Sequence, residues 1–231
     1  DELLVQIGSR GVVDTYDGAA IRAADNTIDR EPLNSSQQGF FFPADVAVDQ
    51  DNGDIYVADG YGNKRVAVFD ESGRFLRQWG RQATLEETIA GTGGTFTYSL
   101  HCITISNLGL VYVCDREGLR IQVFNKMGRF IRNIWVKTGN ASLPDSRGTV
   151  WGIGFSPDEE QSHIYVLDGR HEKVHILDHV TGEILSSFGR PGHQIGNFTV
   201  AHGLTVDPKG NIYVAESGTG RRIQKFMPVT D

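Results

Sequence analysis

The sequence lacks the residues that mark a heavily cross-linked, a membrane-spanning or a nucleic-acid-binding protein. Its 231 residues include only two cysteines, whose spacing fits neither a zinc CxxC motif nor a framework of several disulfides. No apolar run approaches the roughly 20 residues that a membrane-spanning helix requires. The net charge of -7 provides no overall positive field for phosphates, so we expect neither a membrane span nor a nucleic-acid partner.

Helical periodicity is also missing, because no window of useful length repeats apolar residues every three or four positions. The chain instead combines 28 glycines with short stretches in which apolar and polar residues alternate, which is typical of strands joined by turns. A chain of this length buries roughly 70% of its unfolded surface, enough for a substantial core. We expect one all-β domain over residues 1–231.

A fourfold internal repeat organises the sequence. Each copy contains an apolar–Tyr–Val–variable–acidic pattern, and the copies recur about every 50 residues. The four copies are IYVADG at 55–60, VYVCDR at 111–116, IYVLDG at 164–169 and IYVAES at 212–217. A shorter apolar strand precedes each copy, a third strand follows it, and the first three copies add a fourth strand. Four antiparallel strands per unit at this period indicate a β-propeller, in which neighbouring blades cover each other's faces.

The repeat sets the expected blade boundaries. Residues 1–38 contain LLVQIG, which resembles a fourth strand, and a loop; the blades follow at 39–82, 96–137, 146–192 and 198–229. The insertion at 81–99 is expected to be a loop over one face. Because the last copy stops at its third strand, two arrangements remain open. Either LLVQIG completes the last blade of a four-bladed ring, or it is the outer strand of a preceding blade in a larger propeller.

Two histidines occupy a position that the fold alone does not explain. Aligned by their first strands, the copies place His101 and His202 where the other two have Ala44 and Trp151. The first strand of a propeller blade is innermost, so both imidazoles are predicted to face the central channel, where neutral nitrogens are suitable ligands for zinc. The alternative is structural: His101 has the same parity along the strand as Ile103, and its ring would then pack between blades.

Tyr61 is the third candidate site residue. It lies in the loop after the second strand of the first copy, and the matching positions of the next two copies are charged. A phenol beside a metal ion can act as a general base. The alternative is an aromatic side chain on a surface turn.

Other polar residues have a structural interpretation. The stretch DQDNGD at 49–54 resembles a calcium loop, but the equivalent stretches are hairpin turns, so we expect a turn. An acidic residue ends the second strand of every copy and is therefore expected to be structural: Asp59, Asp115, Asp168 and Glu216. Five further histidines are expected to be solvated or to lie in turns: His163, His171, His175, His179 and His193.

These motifs together resemble a known family. Each copy is similar to an NHL repeat, and residues 43–80, followed by SLHCITI and AHGLTVD, resemble the lyase domain of peptidylglycine α-amidating monooxygenase. The resemblance extends over nearly the whole chain. It implies a six-bladed NHL propeller, of which four blades are visible here, that cleaves a peptidyl-α-hydroxyglycine into a peptide amide and glyoxylate. It also implies an extracytoplasmic protein, either secreted or periplasmic.

The resemblance implies roles for individual residues. His101 and His202 correspond to two of the family's three zinc-binding histidines, and Tyr61 to the catalytic tyrosine that takes the substrate hydroxyl proton. The third histidine and the catalytic arginine belong to family blades that have no counterpart in this sequence. Gly203 replaces an acid, which argues against the family's structural Ca2+ site, and Gly62 replaces a cysteine, so the disulfide of the tyrosine loop is absent.

We therefore expect a Zn2+-binding propeller with a lyase site at the mouth of its channel, acting on a small peptide-like or hydroxylated substrate. Residues 1–231 supply only part of this site, so we expect them to be inactive on their own. The alternative is a non-catalytic propeller that binds a protein partner.

Overall fold

The computed structural model describes residues 3–8 and 33–229. This part of the chain is an all-β propeller, as the repeat predicts, and its four blades are antiparallel sheets in meander order. The first blade consists of β1 (Asp45–Val48), β2 (Ile55–Asp59), β3 (Arg65–Phe69) and β4 (Phe75–Trp79).

A short insertion follows the first blade. It comprises β5 (Arg81–Gln82), helix α1 (Leu85–Ala90) and β6 (Thr95–Phe96). The prediction of a plain loop is therefore wrong here. Thr84 caps the helix: its hydroxyl accepts the Glu87 N–H, and the Glu87 carboxylate accepts the Thr84 N–H, which forms a capping box.

The remaining blades continue in chain order. The second contains β7 (Leu100–Ile105), β8 (Val111–Asp115), β9 (Arg120–Phe124) and β10 (Phe130–Trp135). The third contains β11 (Gly152–Phe155), β12 (His163–Asp168), β13 (Lys173–Asp178) and β14 (Ile184–Phe188). The fourth contains β15 (Ala201–Val206), β16 (Ile212–Glu216) and β17 (Arg222–Phe226).

The innermost strands of consecutive blades contact one another in the order β1, β7, β11 and β15. The core lies between the blades, because each sheet presents one apolar face to its neighbour. At the first such interface, the fully buried Tyr56 and Phe124 belong to one cluster, and Trp79 of the first blade packs 5.7 Å from the Phe124 ring. Burial of each large side chain of this kind contributes about 1.5–3 kcal/mol.

The repeated acids are structural, as predicted. Each of the four side chains is completely buried. In the first, second and fourth blades the carboxylate pairs with the arginine that begins the third strand, which satisfies the charge. The three ion pairs are Asp59 with Arg65 at 3.0 Å, Asp115 with Arg120 at 2.8 Å and Glu216 with Arg222 at 2.6 Å.

The third blade replaces this arginine by two imidazoles. Asp168 Oδ2 lies 2.9 Å from His171 Nδ1 and 3.0 Å from His175 Nε2. His175 is only 4% exposed, and His179, which is 8% exposed, lies 2.5 Å from the Tyr112 hydroxyl. The prediction that these histidines are solvated or in turns is therefore wrong for His175, which is buried within β13, whereas His179 lies in the turn after β13 as predicted, although its side chain is buried.

The segment LLVQIG forms no strand within the described residues. Ile7 packs on the apolar cluster of the first blade that contains Phe69. Gly8 lies against Phe40 in the way that Gly80 lies against Phe96 at the next interface. In the part of the chain that the structure describes, the fourth blade has three strands, so LLVQIG does not complete it. The loop expected before the first blade falls largely outside the described residues, and the number of blades in a closed ring stays a prediction.

Candidate functional site

Each of the two candidate histidines occupies a β-bulge at the start of an innermost strand. In β7, His101 and Cys102 together oppose the single residue Cys114. In β15, the pairing shifts in the same way around His202. A bulge interrupts the alternation of side chains along a strand. His101 therefore does not share the face of Ile103, and the parity that favoured packing between blades is lost.

The two imidazoles line one cavity at the mouth of the channel. Their ring centroids are 5.1 Å apart, and the cavity has a volume of about 240 Å³. His101 Nδ1 lies 2.7 Å from the carbonyl oxygen of Trp151. Because a carbonyl only accepts hydrogen bonds, Nδ1 carries the hydrogen and Nε2 keeps a free lone pair. Nε2 is buried and has no hydrogen-bond partner within the described residues, so its lone pair is available to a ligand.

Both imidazoles are neutral at physiological pH. Burial lowers the pKa of His101 to about 3, and the charges of Arg116 and His202 act in the same direction. Burial and the charge of Arg116 also lower the pKa of His202. The neutral imidazole is the form that binds a metal ion.

Tyr61 reaches the same site from the first blade. Its ring packs edge-on against His101, with the centroids 5.5 Å apart. Its hydroxyl oxygen accepts a hydrogen bond from Arg116 Nη1 at 3.2 Å. Arg116 in turn pairs with the Glu117 carboxylate at 2.7 Å, and its side chain is 11% exposed. A fixed positive charge therefore faces the phenol oxygen in a largely desolvated setting, where electrostatic interactions are strong.

Arg116 is the site residue that sequence reasoning missed. It follows the repeated acid of the second blade, where the other three copies have Gly60, Gly169 and Ser217. This break in a position otherwise held by small residues is the signal that could have identified it.

Trp151 packs against both histidines at this cavity. Its ring centroid lies 5.5 Å from that of His101 and 5.3 Å from that of His202. The Arg116 guanidinium carbon lies 4.5 Å from a Trp151 ring centroid, within cation–π distance. The Trp151 indole N–H donates to the Gly148 carbonyl at 3.0 Å, which fixes the ring. Trp151 thus orients both Arg116 and His101.

Comparisons with known proteins agree with this architecture. The NHL repeat family matches residues 40–69 and 97–124. The chain carries NHL repeats. It is 30% identical over 201 residues to peptidyl-glycine alpha-amidating monooxygenase B of Xenopus laevis, covering 84% of this chain and 21% of that protein. It is 28% identical over 209 residues to peptidyl-alpha-hydroxyglycine alpha-amidating lyase 1 of Drosophila melanogaster, covering 83% and 36%.

The name of a third relative does not refer to an enzymatic activity. NHL repeat-containing protein 3 of Homo sapiens is 29% identical over 192 residues, covering 81% of this chain and 50% of that protein. The NHL propeller thus spans a fifth to a half of the length of these relatives. Among solved structures, a streptogramin B lyase matches with a TM-score of 0.53 at 14% identity, covering 80% of this chain and 54% of that chain. At this identity the match shows the propeller fold alone.

The cysteines of the NHL propeller form one cross-strand disulfide, although their spacing predicts no disulfide framework. Cys102 in β7 and Cys114 in β8 have Cα atoms 4.9 Å apart, within the range that a disulfide spans. Cys102 directly follows His101, and Cys114 lies two residues before Arg116. It therefore links the two strands that carry these residues into the site.

The donor atoms fit part of a zinc site. His101 Nε2 is a buried nitrogen that a zinc ion could bind, and the His202 ring lies beside the His101 ring. Over residues 3–8 and 33–229, no cluster of three histidine, cysteine or acidic residues is placed to hold a metal ion. Gly203 contributes no side-chain oxygen next to His202.

Among the residues that the structure describes, no helix is long and apolar enough to cross a membrane.

Proposed function

We propose that this NHL propeller is a zinc-dependent lyase of the amidating-lyase type. One observation carries the proposal: the buried Nε2 lone pair of His101 has no partner, lies beside a second imidazole, and adjoins a phenol that an arginine holds. The relatives named for amidation and for amidating-lyase activity support a peptidyl-α-hydroxyglycine as the substrate class.

His101 and His202 would hold the zinc ion, which, when bound, polarises the hydroxyl oxygen of the substrate. Tyr61 takes the hydroxyl proton as general base, and the Arg116 N–H at its oxygen stabilises the negative charge of the phenolate. The hydroxyl oxygen then forms the carbonyl of glyoxylate while the C–N bond breaks, and its electron pair stays on the amide nitrogen. The proton held by Tyr61 returns to that nitrogen, so the peptide amide leaves neutral.

The test combines metal analysis with turnover. The protein as its gene encodes it is expected to contain about one zinc ion per molecule, with His101 and His202 as two of the three protein ligands of a catalytic zinc site. The double variant His101→Ala/His202→Ala is expected to contain none. Incubation with a synthetic peptidyl-α-hydroxyglycine should yield peptide amide and glyoxylate in equal amounts. Absence of zinc from the unmutated protein, after purification in zinc-containing buffer, would refute the proposal.

An extracytoplasmic location belongs to the same proposal. The Cys102–Cys114 disulfide supports it, since disulfides persist chiefly in oxidising compartments. Fractionation of cells that express the natural gene, followed by thiol labelling, tests it. Recovery of the protein in the cytosol with both thiols reduced contradicts it.

A non-catalytic propeller that binds a protein partner is the second candidate function. It is favoured by the absence of a three-ligand cluster from the described residues and by Gly203 in the place of an acid. The similarity to the human NHL repeat-containing protein 3 supports it as well. Under this candidate, the correctly folded protein produces no glyoxylate, and any zinc that it binds is structural.

A further inference from the structure

The loop that carries Tyr61 encloses a buried ammonium group. This loop, residues 60–63, joins β2 to β3, and the Lys64 side chain that follows it folds back beneath it. Lys64 is 3% exposed. Its Nζ lies 3.2 Å from the carbonyl oxygen of Gly60, 2.9 Å from that of Gly62 and 3.1 Å from that of Asn63, with the Tyr61 carbonyl at 3.5 Å. The carbonyls of four consecutive residues therefore surround one cation.

The amide groups of the loop are satisfied on the opposite side. The Tyr61 N–H donates to the Phe42 carbonyl at 3.1 Å, and the N–H groups of Gly62 and Asn63 donate to the Phe41 carbonyl at 2.9 and 3.1 Å. Buried backbone groups require partners of this kind. Segment 41–42 supplies the acceptors for the loop, and Lys64 supplies the donor.

The close approach of Phe41 explains why residue 62 is glycine. A Cβ atom at Gly62 would lie 2.3 Å from the Phe41 carbonyl oxygen, so any side chain there would displace the loop. The cysteine that the resemblance implies at this position is therefore incompatible with the observed packing. A different interaction has to hold the loop in place.

We propose that Lys64 is the internal cation that positions Tyr61, an inference that rests on the proposed function of Tyr61 as general base. Four carbonyl oxygens directed at one point repel one another unless a positive charge lies between them. An ammonium group suits the site, because it is compact and donates in three directions. The residues at the equivalent position are Leu119, Glu172 and Arg221. The fold alone does not require a lysine, and it occurs in the blade that carries Tyr61.

A small displacement of the loop is enough to disrupt the site. The Tyr61 hydroxyl is held by the 3.2 Å hydrogen bond from Arg116, which comes from the neighbouring blade. Hydrogen bonds weaken steeply beyond about 3.5 Å. Lys64 thus acts through Tyr61, as a positioning residue, and does not itself contact the cavity that His101 and His202 line.

Hydrogen exchange measures this positioning directly, without reference to catalysis. In the full chain, Lys64→Ala is expected to speed exchange of the Tyr61, Gly62 and Asn63 amides at least tenfold, while the amides of β8 and β12 are unchanged. Adding methylammonium chloride should slow this exchange again, because the small cation can occupy the vacated site. Lys64→Met removes the charge but keeps the bulk of the stem, so methylammonium should not rescue it. Lys209→Ala, at an exposed turn, is the matched control.

The outcomes separate this inference from the proposed function. Unchanged loop exchange in both Lys64→Ala and Lys64→Met overturns the positioning role, whatever the turnover. Accelerated exchange that methylammonium reverses supports it, even if the unmutated protein has no lyase activity, in which case the proposed function fails alone. If Lys64→Ala does not fold, Lys64→Met serves for the exchange measurement, and recovery of folding of Lys64→Ala by methylammonium supports the inference. The inference is contradicted if Lys64→Met shows no faster loop exchange and methylammonium does not restore the folding of Lys64→Ala.

Discussion

Arg116 donates a hydrogen bond to the Tyr61 hydroxyl across the boundary between two blades, over 3.2 Å. The two residues are 55 positions apart in the sequence, and each lies in the loop that follows the second strand of its blade. The propeller brings these loops to the same face, because the second strand runs in the same direction relative to the axis in every blade. A charge and a candidate base thus meet beside His101.

If the protein has the proposed lyase function, removal of the phenol oxygen should strongly lower turnover without affecting the fold. Tyr61→Phe is expected to lower kcat by about 10²–10⁴-fold, the usual contribution of a general base, while zinc content stays the same. Arg116→Lys keeps a positive charge but loses the planar group that contacts Trp151, and should lower kcat less. Steady-state kinetics and metal analysis measure both effects. Equal turnover of Tyr61→Phe and the unmutated protein excludes the phenol as base.

The disulfide should stabilise the strand pair that carries His101. The fourth blade shows how the same pair of positions is filled without a bridge, since Gly203 there opposes Ala215. The double variant Cys102→Gly/Cys114→Ala copies this arrangement and is expected to lose about 2–3 kcal/mol of unfolding free energy, as for other short closed loops. Urea unfolding measures this loss. The unmutated protein in excess reductant should show the same loss, and a variant as stable as the oxidised protein rules out the bridge.

The sequence predicts the propeller because its evidence is local and repeated. Alternating strands around Tyr56, Tyr112, Tyr165 and Tyr213 recur in four copies, so that an error in one copy is corrected by the others. The bulge at His101 depends on the register between β7 and β8, which a strand pattern does not contain. The same register brings Cys102 opposite Cys114.

The contacts of the site are harder to predict because they join different blades. The Arg116 bond to Tyr61 and the His101 bond to the Trp151 carbonyl each join neighbouring blades. The helix over 85–90 is a different case. Its capping box, Thr84 followed three residues later by Glu87, is present in the sequence and is a recognised signal for a helix start.

Stability at low pH should depend on the unusual partners of Asp168. Burial alone would raise the pKa of this carboxyl, but hydrogen bonds from His175, His171 and Thr138 more than offset it, so the pKa lies below 3.8. A carboxyl with a lowered folded pKa stabilises the protein above its unfolded pKa, and this contribution is lost as the pH falls through the folded value. The unfolding free energy of the unmutated protein should therefore exceed that of Asp168→Asn at pH 7, and the difference should shrink below about pH 4.

Urea unfolding of both proteins between pH 7 and pH 3 measures this difference. Asp51, whose side chain is 81% exposed, provides the matched control, because Asp51→Asn leaves both imidazoles and Asp168 in place. A difference between the unmutated protein and Asp168→Asn that is constant over the whole range contradicts the assignment.

Trp151 should affect turnover far more than metal binding, because its two contributions come from different parts of the residue. The backbone carbonyl fixes the tautomer of His101 and survives any substitution. The indole ring holds Arg116 by a cation–π contact, which is worth about 0.5–2 kcal/mol. Trp151→Leu is therefore expected to keep its zinc and to lose kcat by about 3–30-fold, with Trp151→Phe in between. Metal analysis with steady-state kinetics checks the split, and loss of zinc from Trp151→Phe, in a folded protein, means that the ring rather than the carbonyl holds His101 in place.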